Sequence, residues 1–296
     1  MIDLFAPLPA LPGFEFRVAA VLLFTGAAAY YDIFNRKWVP NWLVYGFIIV
    51  SLLLNVVFFN YDVMLRALVF GIAVFLLTYP LYRMGQIGGA DTYVMAGIAI
   101  AIPFLPSSLL GIEQSSPYPF VLSVLVPTGV FFILHMLARF VPYISRQLAN
   151  GKARFAKNDL LGAGVILVAF AAFMLILLQL PVVLPPWYFA IISFLVVALV
   201  FFSLFKSQVK DSMVEQMGVA KLQEEDVLAL EKMDKGLVAK LALSPLLTAK
   251  SIALLKKSKI RSVPVYTGMP FFLPYLFLGV VASLLFGDIL LYLIRM

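Results

Sequence analysis

The sequence predicts an all-α polytopic membrane protein of about eight transmembrane helices, with a small cytoplasmic α/β domain before the last helix. Three observations predict it. Of the 296 residues, 63% are hydrophobic, and the mean hydropathy is +1.03. Only 12% are charged, against about 25% in soluble chains, too few to cover a soluble particle of this size. Much of that charge gathers between residues 206 and 264, and apolar runs fill most of the remainder. This composition excludes a secreted enzyme, a cytosolic enzyme and a peripheral binding module. There is no cysteine, hence no disulfide framework, no cysteine-ligated zinc and no thiol nucleophile. The single histidine, His135, excludes any site that needs two imidazoles. Catalysis must come from carboxylates, hydroxyls or amines, and no cofactor or metal is expected.

A spanning helix needs about 20 mainly apolar residues. Runs of that kind cover 18–34, 39–59, 63–82, 89–105, 119–138, 160–180, 187–205 and 270–293. The first and fourth are short, and each carries an aspartate at one end. Pro181, Pro185 and Pro186 allow a tight turn between the sixth and seventh runs. Asp3 and Glu15 precede the first run and no basic n-region does, so no cleaved secretory signal is expected. The expected division is 1–205 for the main bundle, 206–265 for the small domain and 266–296 for the last helix.

Lys and Arg accumulate on the cytoplasmic side of short loops. With the N-terminus outside, the inner loops hold Arg36, Lys37, Arg83, Arg139, Arg146, Lys152, Arg154 and Lys157. The outer side holds Arg17, Arg66 and Arg295. Both termini are therefore expected outside, in a multi-pass protein of the cytoplasmic membrane. Topology accounts for the net charge of +7, and nucleic acid is not needed as a partner. Membrane lipid is one, and the basic run 139–157 reads as an anchor on anionic lipid. Trp38 and Trp42 read as interfacial aromatics.

Within 206–264, Thr248 can cap a helix that runs through Ile252, Leu254 and Leu255 to about Ser258. The pieces 226–230, 237–243 and 262–266 are short and partly β-branched, and read as strands.

An ionisable residue within a span is a functional candidate. Asp32 ends the first run and Asp91 begins the fourth, so both fall at one depth, near the cytoplasmic face. Asp288 falls near the outer end of the last run. Two carboxylates within hydrogen-bond reach share a proton, because like charges that close cannot both ionise. Such a pair can deprotonate water with one oxygen and protonate a carbonyl with another. Small residues precede Asp91, and Arg36 follows Asp32 at the i+4 position, where it can orient the carboxylate.

The segment Asp32-Ile33-Phe34-Asn35-Arg36-Lys37-Trp38-Val39-Pro40-Asn41 resembles the first motif of the type IV prepilin peptidases. Gly88-Gly89-Ala90-Asp91 resembles their second, G-x-G-D. The stretches 222–228, 247–257 and 268–274 resemble the cytoplasmic domain and last helix of archaeal preflagellin and prepilin peptidases. The resemblance implies a GxGD-type membrane aspartic endopeptidase. Such an enzyme removes short basic leader peptides from type IV pilin-like or archaellin precursors at the cytoplasmic membrane face. It implies Asp32 and Asp91 as the catalytic pair, supported by Arg36, Pro40, Asn41, Gly88, Gly89 and Ala90. Three features depart from the pattern: Ala90 stands for glycine, Tyr93 stands where a lysine is often found, and the pair of runs within 160–205 is extra. Without cysteine the zinc module of the bacterial branch is absent, and no methylation of the product is expected.

Other residues carry plainer readings. Asp159 reads as the N-cap of the sixth run, and Asp62 with Arg66 as a local i, i+4 ion pair. Asp288 and Arg295 read as outer-surface anchors, and His135 as an interhelical hydrogen-bonding group. The 268–274 segment reads as a proline-opened helix start. Its Leu273-Pro274-Tyr275-Leu276 piece also resembles a presenilin-type motif. A presenilin-like intramembrane protease and a proton- or cation-coupled transporter are the alternatives. The first would cut within an apolar helix. The second would keep its acids nearer the midplane.

Overall fold

A computed structural model describes residues 10–35, 38–106, 108–110, 118–151, 155–179, 186–224, 226–258, 260–267 and 270–288. The chain divides into two compact units, Met1–Phe132 with Glu215–Tyr292, and Ile133–Val214 with Leu293–Met296.

The first unit opens with α1 (Phe14–Phe34), α2 (Asn41–Val57), α3 (Tyr61–Arg83) and α4 (Gly89–Ala101), and takes the start of α5 (Phe120–Ala149). Gly13 precedes α1 at φ 67°, and a Cβ there would collide with the Phe58 ring. Pro40 caps α2, its carbonyl accepting from the Leu43 and Val44 N–H groups. The Asn60 side chain caps α3 by accepting from Val63 N–H at 3.1 Å. A Schellman turn ends α3: Gly85, at φ 70°, donates to Tyr82 O, and Gln86 donates to Leu81 O.

Helix α4 packs against α1, α2 and α3. From Asp91 to Ala101 every residue except Tyr93 is buried. Two glycines permit this enclosure. A Cβ on Gly97 would lie 2.5 Å from the Phe47 ring, and one on Gly71 would overlap Ile100. Small residues bring helices close where lipid gives no hydrophobic drive for association. Helix α4 stops at Ile102, whose extended backbone precedes Pro103. Helix α11 (Leu273–Phe286) packs along α1, with Gly26 facing Phe277. It also meets α5 where Gly279 admits Thr128.

The same unit contains the small domain. Strands β1 (Val214–Gly218) and β2 (Ser262–Tyr266) pair as a two-stranded sheet. Helices α9 (Lys235–Leu241) and α10 (Ala249–Lys257) lie between them in sequence. Val219, Leu228, Leu247, Leu255, Val263 and Val265 belong to its own apolar core. Thr248 caps α10 as expected, accepting from Ser251 N–H at 3.3 Å. The strand read over 262–266 is present. The strand read over 237–243 is instead α9 and its left-handed end at Ala242. Asp234 caps that helix through Gly236 N–H at 2.8 Å, and the Lys, Leu and Ala that follow favour helix. Over 226–230 only Val227 and Leu228 pair, in isolated bridges to Leu246 and Val265.

The second unit holds the rest of α5, α6 (Lys157–Gln179), α7 (Pro186–Leu204) and α8 (Lys206–Ser212). Asp159 is the third residue of α6 and not its cap. Its Oδ2 accepts from Ser207 N–H at 3.1 Å and so caps α8.

All eight apolar runs contain helix. By length and composition, α1, α3, α5 and most of α6 suffice to cross a bilayer, and α7 with α8 is a fifth candidate bent by 69°. Helices α2, α4 and α11 are apolar but shorter. The 13 residues of α4 rise about 20 Å against a hydrocarbon core of about 30 Å.

Candidate active site

Asp32 lies in the last turn of α1, and Asp91 is the third residue of α4. Arg17, in the first turn of α1, donates to the carbonyl of Ala101, the last residue of α4. The two helices are therefore packed antiparallel, and the aspartates share the end opposite Arg17. Both are buried, at 6% and 8% exposure, where an ionisable group is costly without partners.

Each carboxylate is held by a backbone donor. Gly88 N–H donates to Asp91 Oδ2 at 2.8 Å, a first-turn arrangement that also favours a negative charge at the helix start. A Cβ on Gly88 would stand 3.1 Å from that oxygen, so the glycine admits the carboxylate. Leu273 N–H, at the start of α11, donates to Asp32 Oδ2 at 3.3 Å. The sequence reading missed this donor. It reads 268–274 both as a proline-opened helix start and as a presenilin-like motif without naming this donor, and a backbone N–H has no side-chain signature. Gly268 and Met269 lie outside the described residues.

Pro40 is buried and Asn41 exposed at the opening of α2. Gly89 is buried and Ala90 half-buried. Arg36, expected to orient Asp32, lies outside the described residues, as does Lys37. Tyr93 packs edge-on to Tyr45 and tilted against Phe75, with ring centroids 5.4 and 5.6 Å away. Thr92, beside Asp91, is fully buried, and its hydroxyl has no hydrogen-bond partner among the described residues.

The loop before α4 rests on the small domain. A Cβ on Gly85 would lie 3.5 Å from Val227 and 3.9 Å from Pro245.

Three charges sit differently from their sequence readings. Arg17 and Arg66, counted as outer loop charges, are buried at 0% and 4% exposure, and Arg66 lies over the Phe104 ring. Asp288, read as a surface anchor, is buried at 1% and accepts from Ser123 Oγ at 2.9 Å. Arg295 lies outside the described residues.

Two buried carboxylates thus lie at one end of two packed helices. Residues 19–141 match the model of the type IV leader peptidase family, aspartic peptidases that cleave type IV prepilin leader peptides. The match spans both motifs that carried the resemblance, and over that stretch, less than half of its length, the chain is similar to the type IV leader peptidases. No curated protein and no solved structure matches the chain.

Proposed function

We propose that the protein removes the basic leader peptide of type IV pilin-like or archaellin precursors at the cytoplasmic membrane face, with Asp32 and Asp91 as the reacting pair. The observation that carries this reading is the burial of both acids at one end of α1 and α4, each with a backbone donor. One carboxylate takes a proton from water as that water attacks the scissile carbonyl. The other, protonated, donates to the carbonyl oxygen; on collapse of the tetrahedral intermediate it takes that proton back, while the first acid passes the proton it took from water to the leaving amine. Pro40 and Asn41 open α2 after the end of α1 that bears Asp32, and Arg36 supports Asp32 by the family likeness. Gly88, Gly89 and Ala90 lead the chain to Asp91.

The orientation has both termini outside, the pair inside and eight spans, the shorter α2, α4 and α11 included. Burial of Arg17 and Arg66 supports it, because it removes two charges from the outer loops and sharpens the inner excess.

Asp32→Asn and Asp91→Asn are each expected to abolish cleavage of a tagged precursor while the protein still inserts. Because the two act as a unit, the double variant is no worse than either. Near-wild-type cleavage by either single variant removes that residue from the mechanism. Cleavage inside the precursor's apolar helix, instead of just before it, supports the presenilin-like alternative.

A further inference from the structure

Arg17 is a fully buried arginine in an apolar helix, and the proposed chemistry does not use it. Its Nε donates to Pro12 O at 2.8 Å. Nη1 donates to Asn55 Oδ1 at 3.0 Å and to Ala101 O at 2.8 Å. Nη2 reaches Leu54 O at 3.4 Å. Leu54 and Asn55 lie in the last turn of α2, and Ala101 ends α4. One guanidinium therefore joins the C-terminal ends of two helices to the first turn of a third. Such ends carry unsatisfied carbonyls and partial negative charge. In apolar surroundings each unsatisfied group costs several kcal/mol. The planar fork meets several acceptors in a fixed geometry, which an ammonium cannot reproduce.

The contact continues down α2. Asn55 Nδ2 donates to Ile100 O at 2.9 Å and to Ser51 O at 2.8 Å. Ser51 Oγ reaches Gly97 O at 3.3 Å. A polar ladder thus runs along α4 from Gly97 to Ala101, inside an otherwise apolar contact. Apolar side chains tolerate sliding of one helix along another, whereas a fixed fork with directional acceptors does not.

We propose that Arg17 is a positioning residue of the peptidase: it fixes the axial register of α4, which bears Asp91, against α1, which bears Asp32. This rests on the reading of those acids as the reacting pair. Fifteen residues, about 22 Å of helix, separate Arg17 from Asp32, and ten residues, about 15 Å, separate Ala101 from Asp91. Both stretches are continuous helix, so a slip at the Arg17 end reaches the acids undiminished. A misplacement of about 1 Å can cost about 100-fold in rate.

The test uses Arg17→Gln and Arg17→Lys in the full chain. The protein has no cysteine, so Phe34→Cys and Gln86→Cys place one spin label beside each acid without further changes. Both positions are exposed. For Arg17→Gln, kcat for the tagged precursor is expected to fall about 100-fold, with KM within about twofold, and the label distance to shift or broaden. Arg17→Lys, which keeps the charge but not the fork, is expected to fall between. If Arg17→Gln does not insert, Arg17→Lys carries both readouts. Wild-type kcat with an unchanged distance overturns the proposal. So does a loss of folded protein in which the surviving fraction keeps wild-type kcat and distance. Failure of the reacting-pair reading looks different: Asp32→Asn or Asp91→Asn would still cleave, while the label distance in Arg17→Gln would still move.

Discussion

Gly88→Ala is the smallest perturbation that reaches the Asp91 carboxylate. Gly88 has φ −74° and ψ 155°, which any residue adopts, so the substitution introduces no backbone strain. Its effect comes from one atom. The added Cβ would stand 3.1 Å from Asp91 Oδ2, tighter than an ordinary contact, and 3.5 Å from Cγ, at ordinary contact. The carboxylate must therefore retreat by a few tenths of an ångström. The bond it accepts from Gly88 N–H at 2.8 Å lengthens as it does. A hydrogen bond to a charged group contributes about 1.5–3 kcal/mol, and only part of that is lost. Because a 1 Å misplacement costs about 100-fold, a shift of a few tenths should lower kcat about three- to tenfold. KM should hold, since the change acts on the acid and not on the precursor's apolar segment. The assay is cleavage of a tagged precursor by purified protein under saturating substrate. Ala90→Gly, which restores the family's third motif residue two positions on, is the control and should leave kcat unchanged. The reasoning is refuted if Gly88→Ala keeps wild-type kcat, or if Ala90→Gly lowers it as much.

Gly97→Ala places a methyl 2.5 Å from the Phe47 ring, and overpacking of that kind costs about 1–3 kcal/mol. Thermal unfolding in detergent should show the loss, and a wild-type midpoint would mean that α2 and α4 can separate freely there. Thr92→Val removes a buried hydroxyl that has no partner among the described residues. It should hold stability or raise it by about 1 kcal/mol, and a large fall in stability would reveal a partner for that hydroxyl. Cleavage should survive chelators and fall at both pH extremes, at low pH for want of a base and at high pH for want of an acid. Chelator inhibition reversed by a divalent cation would keep the residues and overturn the proposed roles.

The elements legible in the sequence are those whose signal is local. Apolar runs gave helices, Thr248 gave the cap of α10, and Ser262–Tyr266 gave β2. The two aspartate motifs were legible because their residues are contiguous, and the family match over 19–141 spans them. What was missed has its partner far along the chain. Arg17 read as a loop charge because its acceptors, Asn55 and Ala101, lie 38 and 84 residues away. Asp159 read as a cap of its own helix, although its donor is Ser207, 48 residues on. The Leu273 donor to Asp32 lies 241 residues away. Strand β1 exists only through pairing with β2. The α9 error differs in kind: Asp234 two residues before Gly236 was an available capping signal, and the short, partly β-branched character of the piece outweighed it.

The contacts along α4 form one argument about how a short helix is held. Its thirteen residues rise only about 20 Å, and both of its ends need partners for their polar groups. At its start, Asp91 accepts from Gly88 N–H, and the preceding turn rests on Val227 and Pro245 of the small domain. Midway, Gly71 and Gly97 let α3 and α2 close around it. At its end, Arg17 and Asn55 take the carbonyls of Ala101 and Ile100. Asp32 reaches the α11 side of the same unit through Leu273. The small domain and the helix that follows it thus touch the elements of both acids by separate routes, one through the turn at Gly85 and the other through the first N–H of α11. A change in the small domain therefore has a direct structural path to the turn before Asp91, and a change at the start of α11 has one to Asp32.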